Sequence, residues 1–133
     1  MKLIIAGGRD FACTPGKLEE HYILGANAMN AVFQMHNITE VVCGKAKGAD
    51  SFGESKAKAN DIPVAEFPAD WEVYGKRAGP VRNAQMGDYA DMALIFWDGK
   101  SRGTKNMIDY MKKLKKPVIL KMYNQGEDTD DEW

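Results

Sequence analysis

The sequence predicts an α/β chain of Rossmann type, a parallel five-stranded sheet in the order 3-2-1-4-5 with helices on both faces. Two observations carry this. Short apolar runs alternate with segments of helical period along the chain, the pattern of repeated strand–helix–strand units. Three of those runs lead into glycine, at Gly7-Gly8, Gly44 and Gly99, as buried parallel strands do where they turn into loops. Right-handed crossovers then leave few topologies, and strands one and four are expected at the centre.

The elements follow in order. Lys2–Ala6 is the first strand; the run turns at once into glycine and is too short for the apolar region of a signal peptide. Thr14-Pro15 predicts a helix start, with Leu18, Tyr22, Met29, Val32 and Phe33 recurring at helical spacing. Glu40–Cys43 is the second strand, stopped by Gly44. Asp50–Asn60 predicts a helix with Phe52 and Ala59 facing inward, weakened by Gly53. Val64–Phe67 is the third strand, followed by the loop Pro68-Ala69-Asp70-Trp71. Pro80 opens a helix from Val81 to about Tyr89, and Met92–Phe96 is the fourth and most apolar strand. Gly103–Lys116 predicts a helix carrying Met107, Ile108, Met111 and Leu114, and Pro117–Lys121 the fifth strand. Residues 1–123 read as one domain, and 124–133 as an acidic tail of disordered composition.

Composition excludes several classes. At 133 residues, with 44% hydrophobic and 28% charged residues, the chain is an ordinary single globular domain. No apolar run reaches the roughly 20 residues of a membrane helix, so neither a membrane nor export is expected, and the location expected is cytoplasmic. Cys13 and Cys43 match no disulfide framework and no metal spacing. His21 and His36 have no ligand partners at metal spacing and read as surface residues. The net charge of −1 hides an asymmetry: five of the 19 acids lie in 127–132, leaving 18 basic against 14 acidic residues elsewhere. That excess suits a small anionic ligand better than duplex nucleic acid.

The glycine loops all follow the carboxyl ends of predicted parallel strands. That edge carries the ligand site in open α/β sheets, with a crevice at the switch point, here between Gly7-Gly8 and the loop Gly99–Thr104. Glycines allow backbone to approach a phosphate, and a helix starting at Gly103-Thr104 would aim amides and dipole at it, with the Thr104 hydroxyl as a further donor. Arg9, Lys45, Arg82 and Arg102 could supply countercharge. The candidate binding residues are therefore Gly7, Gly8, Arg9, Asp10, Gly44, Lys45, Gly48, Asp50, Trp71, Arg82, Asn83, Gly99, Arg102, Gly103 and Thr104. Trp71 or Tyr74 could stack a base, and Trp71 could equally plug the core. Arg82, placed in a first helical turn, opposes the dipole there and points to an external anion. No segment is the G-x-G-x-x-G fingerprint or a P-loop.

Taken in order, Gly7-Gly8-Arg9-Asp10-Phe11, Gly44-x-Ala46-x-Gly48-Ala49-Asp50, Ala69-Asp70-Trp71, Tyr74-Gly75-Lys76, Ala78-Gly79-Pro80-x-Arg82-Asn83 and Gly99-x-x-x-Gly103-Thr104 resemble the YspA-like branch of the SLOG superfamily. That superfamily groups the DNA-processing protein DprA with the LOG phosphoribohydrolases. The resemblance runs from the first strand to the last and leaves out the acidic tail. It implies a Rossmann-like domain for nucleotides or nucleotide-derived molecules, often in conflict or signalling settings that include phages. The LOG enzymes hydrolyse N-glycosidic bonds of nucleoside monophosphates through P-G-G-x-G-T-x-x-E and an upstream R-K-x-x-M. Here the upstream element is altered to Arg82-Asn83-Ala84-Gln85-Met86, and Met107 stands where the catalytic glutamate would be. Without that carboxylate the glycosidase lacks its acid–base group. Asp10, Asp50 and Asp98 are the candidate substitutes.

The function expected first is binding of ADP-ribose, an NAD fragment or a cyclic signal nucleotide, as a sensor or sequestering protein. The alternatives are an N-glycosidic hydrolase or transferase, and a DprA-like nucleic-acid binder. No metal is expected, and beyond a nucleotide-like ligand no cofactor is assigned. A small domain buries modest apolar surface and the related phosphoribohydrolases pair through helices, so a homodimer or larger homo-oligomer is expected.

Overall fold

Each strand is a short apolar run, and every connection between strands passes through a helix, so the sheet closes by parallel pairing. The computed structural model describes residues 1–44 and 48–124. Its elements are β1 (Lys2–Gly7), α1 (Leu18–Met35), β2 (Glu40–Cys43), α2 (Ala49–Ala59), β3 (Val64–Glu66) and a short α3 (Trp71–Tyr74). A 3-10 turn over Gly75–Arg77, α4 (Ala78–Tyr89), β4 (Met92–Trp97), α5 (Arg102–Lys113) and β5 (Val118–Met122) complete them. The sheet order is β3-β2-β1-β4-β5 with every pair parallel, as the sequence predicts. β1 is central, registered on β4 from Leu3↔Met92 to Gly7↔Phe96 and on β2 from Lys2↔Glu40 to Ile4↔Val42.

Alternate residues of β1 feed two cores, because successive side chains point to opposite faces. Leu3 and Ile5 pack with Met29 and Val32 of α1, Phe52 of α2 and Leu94 of β4. Ile4 and Ala6 pack with Met86 of α4, Ile95 of β4, and Met107 and Met111 of α5. Both faces are covered, which is why the central strands read as unbroken apolar runs.

Several boundaries differ from expectation for local reasons. α1 begins at Leu18, later than Thr14-Pro15, because the Thr14 hydroxyl donates to Asp10 O (2.8 Å) and Lys17 N closes a turn on Thr14 O (3.0 Å). Leu18 and Tyr22 consequently lie on the exposed face of the helix. In α2 the buried stripe is Ala49, Phe52, Gly53 and Ala57; Ala59, at the helix end, is exposed. α4 starts at Ala78, so Pro80 occupies its first turn, where no intrahelical N–H bond is lost, and Arg82 falls in the second turn. α5 stops at Lys113 because Lys115 turns left-handed (φ 58°).

Lys116 then reaches back to close α4. Its Nζ donates to the carbonyls of Gly87 (2.7 Å), Asp88 (3.2 Å) and Ala90 (2.8 Å), a cation on the negative end of a helix. Lys116→Met should lower stability by about 1–2 kcal/mol. Lys105→Met, which breaks an exposed pair with Asp109, should change it little. Chemical denaturation of the two variants checks this, and equal losses would refute the capping role.

Candidate functional site

Because all strands are parallel, the loops that follow β1, β2, β4 and β5 leave one edge of the sheet. α1 and α2 cover one face, α4 and α5 the other. The crossovers therefore diverge between β1 and β4, the position where a crevice forms in such sheets.

Arg82 and Asn83 tie this edge together from α4. Arg82 Nη1 donates to Gly44 O (2.7 Å) and its Nε to Asn83 Oδ1 (3.1 Å). Asn83, buried, donates from Nδ2 to Gly103 O (3.2 Å) and to Asn106 Oδ1 (3.1 Å). Asp50, 5% exposed, accepts the amide of Gly44 (3.2 Å). The Gly44 residue at the end of β2 is thus held by a carboxylate on its N–H and a guanidinium on its carbonyl. Burial lowers the Arg82 pKa, the charge of Asp50 raises it, and the charge of Arg9 lowers it again. Burial is the largest of these influences, and the favourable charge of Asp50 outweighs the opposing charge of Arg9. Sequence reasoning put Arg82 in the first turn and took the dipole as its reason. In the structure Arg82 lies in the second turn, half-buried and hydrogen-bonded to Gly44 O and Asn83 Oδ1.

The three candidate carboxylates differ in what they hold. Asp98, buried, accepts the amides of Lys100 (2.8 Å) and Ser101 (2.9 Å) and so builds the turn into α5. Ser101 caps that helix, accepting from Thr104 N (3.5 Å) and from the Thr104 hydroxyl (3.2 Å). The donors that sequence reasoning assigned to a phosphate at Thr104 are turned onto Ser101. Asp50 holds Gly44. Asp10 accepts from the Tyr123 hydroxyl at its Oδ1 (2.5 Å), while its Oδ2 takes no hydrogen bond from the described residues.

Tyr123 and Asn124 were not among the predicted site residues. Tyr123 is 5% exposed and its hydroxyl lies against Gly8, where a Cβ would collide with it. Asn124, expected in the tail, donates from Nδ2 to Thr14 Oγ1 (3.1 Å) and meets His21 Nε2 through its Oδ1 (2.9 Å). His21 was read as a surface residue but is 1% exposed, stacked on Phe11 with ring centroids 5.1 Å apart. Its Nδ1 accepts the amide of Ala12 (2.8 Å); a backbone N–H only donates, so Nε2 carries the hydrogen toward Asn124. The signal for both missed residues was available, since they follow a strand at the same edge as the glycines.

Burial pushes the Tyr123 phenol above the ordinary tyrosine range, and the bond to Asp10 pushes it further. Above that range the unfolded chain gives up this proton and the folded protein keeps it. Stability should therefore fall as pH rises, by up to about 1.4 kcal/mol per pH unit from this group. Denaturation midpoints across the alkaline range should drop more steeply in the wild type than in Tyr123→Phe; parallel slopes would disprove it.

The remaining predicted residues are spread along the edge. Arg9, Gly99 and Arg102 are exposed, Gly7 and Gly103 half-buried, and Gly8, Gly44 and Gly48 buried. Lys45 lies outside the described residues, as does the tail from Gln125. Trp71 does not plug the core: it is 45% exposed on α3, beside the exposed Tyr74, and Asp70 caps that helix by accepting from Val73 N (3.1 Å). A cavity of about 490 Å³ lined by Phe33, Met35, His36 and Ile62 sits at the opposite end of the molecule, by the carboxyl end of α1. It contains none of the predicted site residues. Among the described residues no three His, Cys, Asp or Glu gather in a metal-binding group, and no helix is long and apolar enough to cross a membrane.

Residues 1–74 match the family model described as YAcAr, the YspA, cpYpsA-related SLOG family. The match takes in β1 to α3, and so Gly7–Asp10, Gly44 and Asp50 but not Arg82 or Tyr123. The chain is also 36% identical over 85 residues to the "Gene 61 protein" of Mycobacterium phage D29, covering 59% of this chain and 68% of the relative. No solved structure matches it.

Proposed function

Since this chain belongs to the YspA, cpYpsA-related SLOG family, a group of nucleotide-related Rossmann-like domains, we propose that it binds a nucleotide or nucleotide-derived ligand by its phosphate. Its role is that of a sensor or sequestering protein. One observation carries the reading: Arg82 is anchored to Gly44 and Asn83, with the charge of Arg9 working against its own. A phosphate bridging Arg9 and Arg82 removes that opposition, and arginine suits phosphate geometry. The Gly7-Gly8 turn lies alongside, and the exposed rings of Trp71 and Tyr74 after β3 offer a stacking surface for a base. The loop before α5 plays a lesser part than its glycines suggest, because Asp98 and Ser101 already take several of its donors.

A second reading is an N-glycosidic hydrolase using Asp10, favoured by the unused Oδ2 of that residue. Calorimetric titration with AMP and ADP-ribose, with chromatography of each after long incubation, separates the two. Binding with intact nucleotide recovered supports the receptor, whereas steady release of free base refutes it. The homodimer and the cytoplasmic location stay with this proposal, the former supported by the exposed Leu18, Tyr22 and Ile23 along α1. So does the division into a domain and an acidic tail, with Asn124 hydrogen-bonded to the domain side.

A further inference from the structure

Phosphate oxygens only accept hydrogen bonds, and arginines only donate them. A carboxylate beside such a pair repels phosphate and can serve only a donor. Asp10 is such a carboxylate, one residue along the chain from Arg9. Its partner Tyr123 is buried, with ring contacts to Phe11 (5.1 Å) and His21 (5.0 Å) that fix the phenol. The backbone of Asp10 is fixed as well: its carbonyl accepts from the Thr14 hydroxyl (2.8 Å), and Thr14 is held in turn by Asn124. Asp50 and Asp98 serve backbone amides of their own loops, whereas Asp10 presents an oxygen that no described residue uses.

We propose that Asp10, positioned by Tyr123, accepts a hydrogen bond from a sugar hydroxyl, making this a site for ribosyl phosphates in preference to their deoxy counterparts. The inference rests on the phosphate reading above. In a nucleotide the sugar lies between the phosphate and the base, and Asp10 shares with Arg9 the loop after β1 that the phosphate reading uses. A hydroxyl is therefore the donor that falls within reach before an exocyclic amine does. Asp10 is the specificity residue. Tyr123 is a positioning residue that keeps one oxygen occupied and leaves the other without a bond from the described residues.

The experiment is calorimetric titration of the full chain with AMP, IMP and 2′,3′-dideoxy-AMP, for wild type, Asp10→Asn and Tyr123→Phe. Wild type should bind AMP about tenfold to a hundredfold more tightly than the dideoxy nucleotide, the range for a hydrogen bond to a charged acceptor. IMP, which lacks the exocyclic amine, should bind as AMP does. In Asp10→Asn the ratio of AMP to dideoxy affinity should collapse toward one through loss of AMP binding, with dideoxy binding retained. Tyr123→Phe should narrow the ratio partway, which a merely structural role would not do. Equal wild-type affinities for AMP and the dideoxy nucleotide would overturn the proposal and leave the phosphate reading standing. Equal losses for both ligands in Asp10→Asn would reduce Asp10 to a brace for Tyr123. A preference for AMP over IMP matching that over the dideoxy nucleotide would transfer the contact to the base. No binding of any of the three would overturn the phosphate reading and this one together.

Discussion

Arg82→Ala should weaken AMP binding by roughly two orders of magnitude, about 3 kcal/mol, since truncating one partner of a desolvated charge contact costs about 2–5 kcal/mol. The same change should lower stability. Asp50 is 5% exposed, and it loses the cation whose charge it faces across Gly44. A buried carboxylate left without its partner costs a few kcal/mol; with Arg82 only half-buried, about 2 kcal/mol is expected. Arg82→Lys separates the two effects. A lysine keeps a charge for Asp50 but cannot serve Gly44 O, Asn83 Oδ1 and a phosphate with one planar fork. It should recover most of the stability and little of the affinity. The measurements are titration with AMP and urea denaturation on the same preparations. An Arg82→Ala protein that is less stable yet binds AMP like the wild type would make Arg82 a brace for the β2 loop and remove the phosphate reading.

Gly48→Ala should be a severely damaging single-methyl change at this edge. Gly48 precedes α2 with φ 74°, and a Cβ there would run into the carbonyl of Gly8 and the backbone of Arg9. Those are main-chain atoms of a loop already hydrogen-bonded to α2 through Ala49 N and Gly8 O (3.2 Å), so nothing flexible can yield. The backbone conformation (φ 74°, ψ −121°), one that side chains rarely adopt, contributes about 1–3 kcal/mol and the collision adds to it, for a total of about 3 kcal/mol or above. In a domain of this size that lowers the melting temperature by roughly 10 °C. Gly16 supplies the control: its φ is 78°, and a Cβ there meets nothing within 4 Å. Gly16→Ala should cost only the conformational part. Equal melting temperatures for the two variants would mean that the β1 and α2 loops do not press on each other as described.

The sheet was legible because its information is local and repeated. Each strand is an apolar run ending at a turn, and once Gly7, Gly44 and Gly99 are placed after parallel strands their common edge follows. What the sequence could not show is which polar groups satisfy each other across that edge. Thr104 looks like a ligand donor and Asp98 like a catalytic carboxylate in a glycine loop; in the fold Thr104 donates to Ser101, which caps α5, and Asp98 builds the turn before it. Thr14 looks like a helix cap, and its hydroxyl serves Asp10. His21 sits at an ordinary helical position; only the fold brings Ala12, Phe11 and Asn124 around its ring. Arg82 falls in the second turn of its helix, not the first, because that helix starts earlier than Pro80 suggests. Some of these pairings are local turns and caps, and others, such as His21 with Asn124, join residues far apart in sequence; periodicity encodes neither.

The bond from Tyr123 to Asp10 joins residues 113 apart in the chain. During synthesis every glycine loop is made before the strand that fastens the first of them. A nascent chain that stops at α5 has Arg9, Asp50 and Arg82 in hand but no phenol against Gly8 and no Asn124 on Thr14. The loop carrying Asp10 then lacks its clasp, so under the phosphate reading proposed above the site is completed only when β5 is made. In the finished protein the dependence runs the other way as well. β5 is an edge strand, paired on one side only, and edges are where sheets open first. Whatever grips Asp10 thereby also keeps the far edge of the sheet from opening.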